Sequence, residues 1–135
     1  MKKWLIGMLA LCVTFVALGC GGAEKEARLA DLDFTVMDET TVPEELRELI
    51  EERKGSAFKL TYSDSQFLYL VVGYGEQPTG GYSIQINDLY LTESSIYLDA
   101  DLLGPKMGEA IAEKPSYPWI VIKMEYRQEK VVFDT

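Results

Sequence analysis

Past residue 56 the chain alternates apolar and polar residues with a period of two, the mark of half-buried strands. Phe58, Leu60 and Tyr62 share one face of the first such run, over 57–62. The run at 66–73 is apolar without alternation, which predicts a central strand covered on both faces. Residues 82–91 change phase: Tyr82, Ile84 and Ile86 are even-numbered, whereas Leu89 and Leu91 are odd. A strand cannot change face without an extra residue, so a bulge is predicted at Asn87-Asp88. Runs at 96–102, 117–126 and 131–133 follow, and a looser one stands at 32–37. Ser63-Asp64-Ser65, Glu93-Ser94-Ser95 and Gln128-Glu129 supply turns. Residues 106–116 read as a long connection with one helical turn around 107–112.

One segment has a different period. Val42, Leu46, Leu49 and Ile50 fall at i, i+4, i+7 and i+8, a single helical stripe over 42–54. Thr41 with Glu44 fits a capping box, Pro43 suits the first turn, and Gly55 is a natural stop. The fold class expected is mainly β (α+β): an antiparallel β-sandwich or open barrel with one amphipathic helix packed on the sheet.

The N-terminus is not part of that pattern. Lys2 and Lys3 precede an apolar run over 4–18 and then Gly19-Cys20, the layout of a secretory signal peptide. The run is short for a membrane span, which needs about 20 residues. Val16-Ala17-Leu18-Gly19-Cys20 resembles the lipobox of bacterial lipoproteins, with Ala17 where Leu is most frequent. That resemblance implies removal of residues 1–19, lipidation of Cys20, a tether over 20–30 and one domain over 31–135. It also implies a lipid anchor on the outer face of a bacterial membrane.

Charge and composition narrow the chemistry. The chain has 22 acidic against 13 basic residues, a net charge of −9, and the leader takes Lys2 and Lys3 with it. Nucleic acid needs a basic footprint and is not an expected partner. With no His, zinc sites and His-dependent nucleophilic catalysis are set aside. Cys12 leaves with the leader and Cys20 takes lipid, so no disulfide is expected. Asp31-Leu32-Asp33 and Asp99-Ala100-Asp101 pair carboxylates on a strand face, but neither has the Gly and terminal Glu of a calcium loop. Lys59 and Lys123 sit in strands, where lysines extend outward. The expectation is a non-enzyme with no catalytic residue, metal, cofactor or small-molecule substrate.

The most distinctive stretch is Gly75-Glu76-Gln77-Pro78-Thr79-Gly80-Gly81-Tyr82, between two strand-like runs. A Pro that fixes φ, followed by a Gly pair, shapes this loop sharply. Gly104-Pro105 and Tyr117-Pro118-Trp119-Ile120-Val121-Ile122-Lys123 follow in order. Together these segments, over about 66–124, resemble the C-terminal domain of PrcB, a protease complex subunit. Ser116 stands where the usual pattern has Thr.

The resemblance implies a non-enzymatic protein that stabilises or helps mature a surface protease, with that protease or another envelope protein as partner. The candidate contact residues are Pro78, Thr79, Gly80, Gly81, Tyr82 and Trp119. Pro78-Thr79-Gly80-Gly81-Tyr82 is also similar to a loop of chagasin-type inhibitors of cysteine peptidases, which gives an inhibitor as the alternative. A purely architectural role for the loop stands beside both, with Tyr82 packed inward and Thr79 bonding backbone groups. Trp119 falls opposite Ile120 and Ile122, either covering the second side of the sheet or serving as an exposed anchor.

Overall fold

A computed structural model describes residues 27–135; the leader, Cys20 and the start of the tether lie outside the described residues. The elements are β1 (Ala30–Asp31), β2 (Thr35–Val36), a 3-10 turn (Glu39–Thr41), α1 (Glu44–Arg53), β3 (Ala57–Ser63) and β4 (Phe67–Tyr74). They continue with β5 (Ser83–Leu91), β6 (Ser95–Leu103), β7 (Trp119–Glu125) and β8 (Lys130–Asp134). The strands form two four-stranded sheets, ordered β1-β5-β6-β8 and β2-β7-β4-β3. They stack as a sandwich, with α1 as a third layer on the outer face of the second sheet.

β4 shows why its sequence does not alternate. Leu68, Leu70 and Val72 point between the sheets, where they meet Leu89, Ile96, Leu98, Ile122 and Met124. Tyr69 and Val71 point the other way, onto Val42, Leu46 and Ile50 of the helix stripe. Both clusters are buried, so each face of β4 is covered by apolar side chains. Tyr62 on β3 donates to Glu45 Oε1 over 2.5 Å and adds a polar link to the helix.

The expected bulge is present. Ile86 pairs with Ala100 and Asp88 with Asp99, so Asn87 is the residue without a register partner. The extra residue returns Ile86, Leu89 and Leu91 to one face, all packed on the core between the sheets. Asn87 Nδ2 donates to Asp99 Oδ1 at 3.3 Å and Asp101 Oδ2 at 2.9 Å. That acidic pair therefore holds the bulge.

Four details differ from the sequence pattern. The run at 32–37 is not one strand: β1 pairs with β5 in the first sheet and β2 with β7 in the second. The chain crosses between layers at 32–34, so its loose alternation serves two sheets. The helix begins later than Thr41 predicts, because Asp38 captures the preceding residues by accepting from Thr40 N–H at 2.8 Å. Thr41 then donates its hydroxyl to Asp38 O, and Pro43 caps α1 without a side-chain bond. Residues 107–112 contain a turn in which Glu109 N–H donates to Lys106 O, and no helical turn. Finally, β8 runs parallel to β6 rather than antiparallel. The turn after β7 carries the chain from the second sheet to the first, so β8 arrives beside a strand it does not follow in sequence.

Candidate functional site

The loop over 75–82 leaves β4 at Tyr74, whose part-buried hydroxyl donates to Ala100 O across the sandwich at 3.2 Å. Burial holds that phenol above its usual pKa. Gly75 then turns with φ 77°, and a Cβ there would lie 2.9 Å from the Ala57 amide nitrogen. Positive φ and backbone contact together require glycine at this position.

Beyond Gly75 the loop is fastened to the connection between β6 and β7. Gln77 and Ser116 exchange backbone bonds of 2.8 and 3.0 Å as an isolated bridge. Gly80 N–H donates to Ala112 O at 2.9 Å, and the Ser116 hydroxyl donates to Thr79 O at 2.7 Å. Gly81 has φ 88°, and a Cβ on it would come 2.7 Å from Ile111 Cγ2 and 3.0 Å from Pro105 Cβ. Gly80 lies in ordinary space, 3.5 Å from Ala112 Cβ. Of the Gly pair, only Gly81 uses the left-handed region.

The structure thus brings the parts of the sequence pattern together. Pro78 is exposed at the tip, Thr79, Gly80 and Tyr82 are half-buried, and Gly81 is exposed beside Pro105. Tyr82 lies against Gly104, to which an added Cβ would stand 3.6 Å from its ring. Met107, on the same connection, is fully exposed at 102%. Trp119 is placed elsewhere: half-buried with Phe58 and Phe67 on the helix side of the second sheet. Its register partner is Gly73, which pairs on its other side with Phe58. The Phe58 ring lies over Gly73, so this row of the sheet reads aromatic, glycine, aromatic.

Ile111, Ala112 and Ser116 are the residues that sequence reasoning did not assign to the loop. Only Ser116 carried a signal, as the hydroxyl residue before Tyr-Pro. The ties of Ile111 and Ala112 come from tertiary contact. Among the described residues no group of three or more Cys, Asp and Glu is arranged to hold a metal ion.

Backbone groups of Gln77, Thr79 and Gly80 tie the loop to Ala112 and Ser116, and the loop and the connection over 105–116 form one surface. Residues 68–125 match the PrcB C-terminal family model. No curated protein and no solved structure matches the chain. The PrcB-like segment runs from the second residue of β4 to the end of β7. It therefore contains β4 and β7, the inner pair of one sheet, and β5 and β6, the inner pair of the other. Outside the match lie the four edge strands and the helix. The PrcB-like part is the middle of the sandwich together with its braced loop.

Proposed function

We propose that this chain is a lipid-anchored protein of the bacterial cell envelope whose PrcB-like segment works by protein–protein contact, without catalysis, on a secreted protease. The observation that carries the reading is the bracing of 75–82 by 105–116. A loop tied to the chain through the backbone of Gln77, Thr79 and Gly80 keeps its shape when it meets a partner, so little ordering entropy opposes binding. It offers Pro78 from one segment and Met107 from the other, apolar groups with no use in the core. The lipobox-like stretch ending at Cys20 supports the anchor, and a domain this acidic, repelled by anionic headgroups, would need lipid to stay at the membrane.

The test uses the full chain in cells. Crosslinking followed by co-purification should recover a secreted protease, and Pro78→Ala/Met107→Gln should lose it while the protein stays folded. Equal recovery with that variant would overturn the contact surface. Recovery of a partner without proteolytic activity would overturn the protease assignment. A Cys20→Ala chain should lose incorporation of a palmitate analogue; retained label would remove the anchor from the reading. The peptidase-inhibitor alternative needs the loop to enter a cleft, and the half-buried, tied Thr79 and Gly80 weigh against it. Inhibition of papain-like enzymes by the purified protein would favour that alternative.

A further inference from the structure

The two seams of the sandwich are finished differently. At one seam the chain itself crosses from β1 to β2 and laces the sheets together. At the other, β3 and β8 are both edge strands with no further strand beside them among the described residues. Two cavities of about 490 and 500 Å³ follow this open seam, and Lys59 lines both. Thr61 and Ser63 extend the β3 wall of the first, and Lys130, Val131 and Phe133 form its β8 wall.

The free edge of β8 can be read from the register. Thr92 N–H donates to Ser95 O, which turns Ser95 toward β5. Alternation then turns Ile96 and Leu98 toward β8, in register with Val131 and Phe133. In a parallel pair this leaves the N–H and C=O groups of Val131 and Phe133 pointing away from β6, into the open seam.

The charges at this seam select what can pair there. In a chain of net charge −9, Lys59 and Lys130 are both exposed and neither has a salt bridge among the described residues. Arg127, also at the seam, is already paired with Glu129 at 2.8 Å. A second copy of the chain adding edge to edge would bring these lysines toward their own kind, and like charges across a strand pair are unfavourable. Carboxylates on an incoming strand would instead meet the ammonium groups of Lys59 and Lys130, with the acid of β8, Asp134, at the far end of the strand from Lys130.

We propose that the open seam receives an extended acidic segment of a partner protein. The segment adds to β8 as a fifth strand of that sheet and hydrogen-bonds to Val131 and Phe133. It carries carboxylates on both faces, one set toward Lys59 between the sheets and the other toward Lys130 on the outer face. This is a second contact surface, and it does not rest on the role proposed for the 75–82 loop.

The probe is a fluorescein-labelled decapeptide of Val and Glu in alternating pairs, which puts carboxylates on both faces of the extended chain, titrated with the purified full chain and followed by anisotropy. Comparison peptides put Lys in place of Glu, or carry N-methyl groups on every amide. The Val/Glu peptide should bind at least tenfold more tightly than the Val/Lys peptide, and N-methylation should abolish its binding. Lys59→Glu/Lys130→Glu should weaken the Val/Glu peptide at least tenfold and invert the preference toward Val/Lys. Both positions are exposed, and circular dichroism verifies that the variant is folded. Absence of Val/Glu binding at millimolar concentration, equal binding of the N-methylated peptide, or an unchanged preference in the variant would each overturn the proposal.

Discussion

The hydroxyl of Ser116 donates to the carbonyl oxygen of Thr79 over 2.7 Å, joining residues 37 apart in the chain. A Thr at position 116, as in the usual pattern, carries the same hydroxyl on the same carbon. Ser116→Thr should therefore keep the tie, whereas Ser116→Ala should lose it at a cost of about 0.5–1.5 kcal/mol, the typical net value of one hydrogen bond. Urea denaturation of the two variants checks this. Equal stability of Ser116→Ala and wild type would show that the bond does not hold the loop.

The Gly pair separates into two different requirements. Gly81→Ala meets both the positive φ and the close approach of Ile111 and Pro105, and should destabilise by about 1–3 kcal/mol. Gly80→Ala meets Ala112 at ordinary contact distance and should change stability by less than about 1 kcal/mol. Thermal melts of the two single variants give the comparison, and similar losses would contradict the assigned geometry.

Gly73 makes room for a ring. A Cβ at this position would stand 2.1 Å from Phe58 Cε1, so Gly73→Ala must displace the Phe58 side chain. Overpacking of this kind costs about 1–3 kcal/mol. In a Phe58→Leu background the loss should shrink by at least about 0.5 kcal/mol, because the obstructing ring is gone. A double-mutant cycle on denaturation free energies reads that coupling directly, and additive losses would refute it.

The turn between β3 and β4 depends on a charge. Asp64 Oδ1 accepts from the backbone N–H groups of Gln66 and Phe67, each at 2.8 Å, and these bonds hold its carboxyl below the usual range. A depressed folded pKa means that its stabilisation is complete above the unfolded value, about 3.9, and is lost as pH falls through the folded value. Asp64→Asn should flatten the stability profile below about pH 4. Urea midpoints measured in descending pH steps provide the check. Asp38, which the N–H and hydroxyl of Thr40 hold down in the same way, keeps its own acid sensitivity in that variant.

The strands were legible wherever one face alone met the core. The phase change between Ile86 and Leu89 located the bulge because a period of two permits no other solution. The continuous apolar run of β4 correctly signalled cover on both faces, since both the helix and the first sheet need a surface to rest on. What sequence could not reveal depends on neighbours. The direction of β8 follows from which sheet the chain enters after β7, and residues 32–37 are divided because two different strands compete for them. At the candidate site, the turn residues and the two motif segments were visible. Their joining through Ile111, Ala112 and Ser116 was not, because a connection without periodicity carries no record of what it will touch.

The crossover from β1 to β2 has a mechanical consequence. Tension applied from the N-terminal side reaches first a strand of two residues, held to β5 by Leu29 N–H to Leu91 O and Leu32 N–H to Leu89 O. Arg28 reinforces that grip by pairing with Asp88 and lying 4.0 Å over the Tyr90 ring. Once β1 lets go, the load passes through residues 32–34 to β2, itself only two residues long. The sandwich therefore unlaces along its closed seam before the inner strands part from one another, and the inner strands with their loop can outlast a pull that strips the edge.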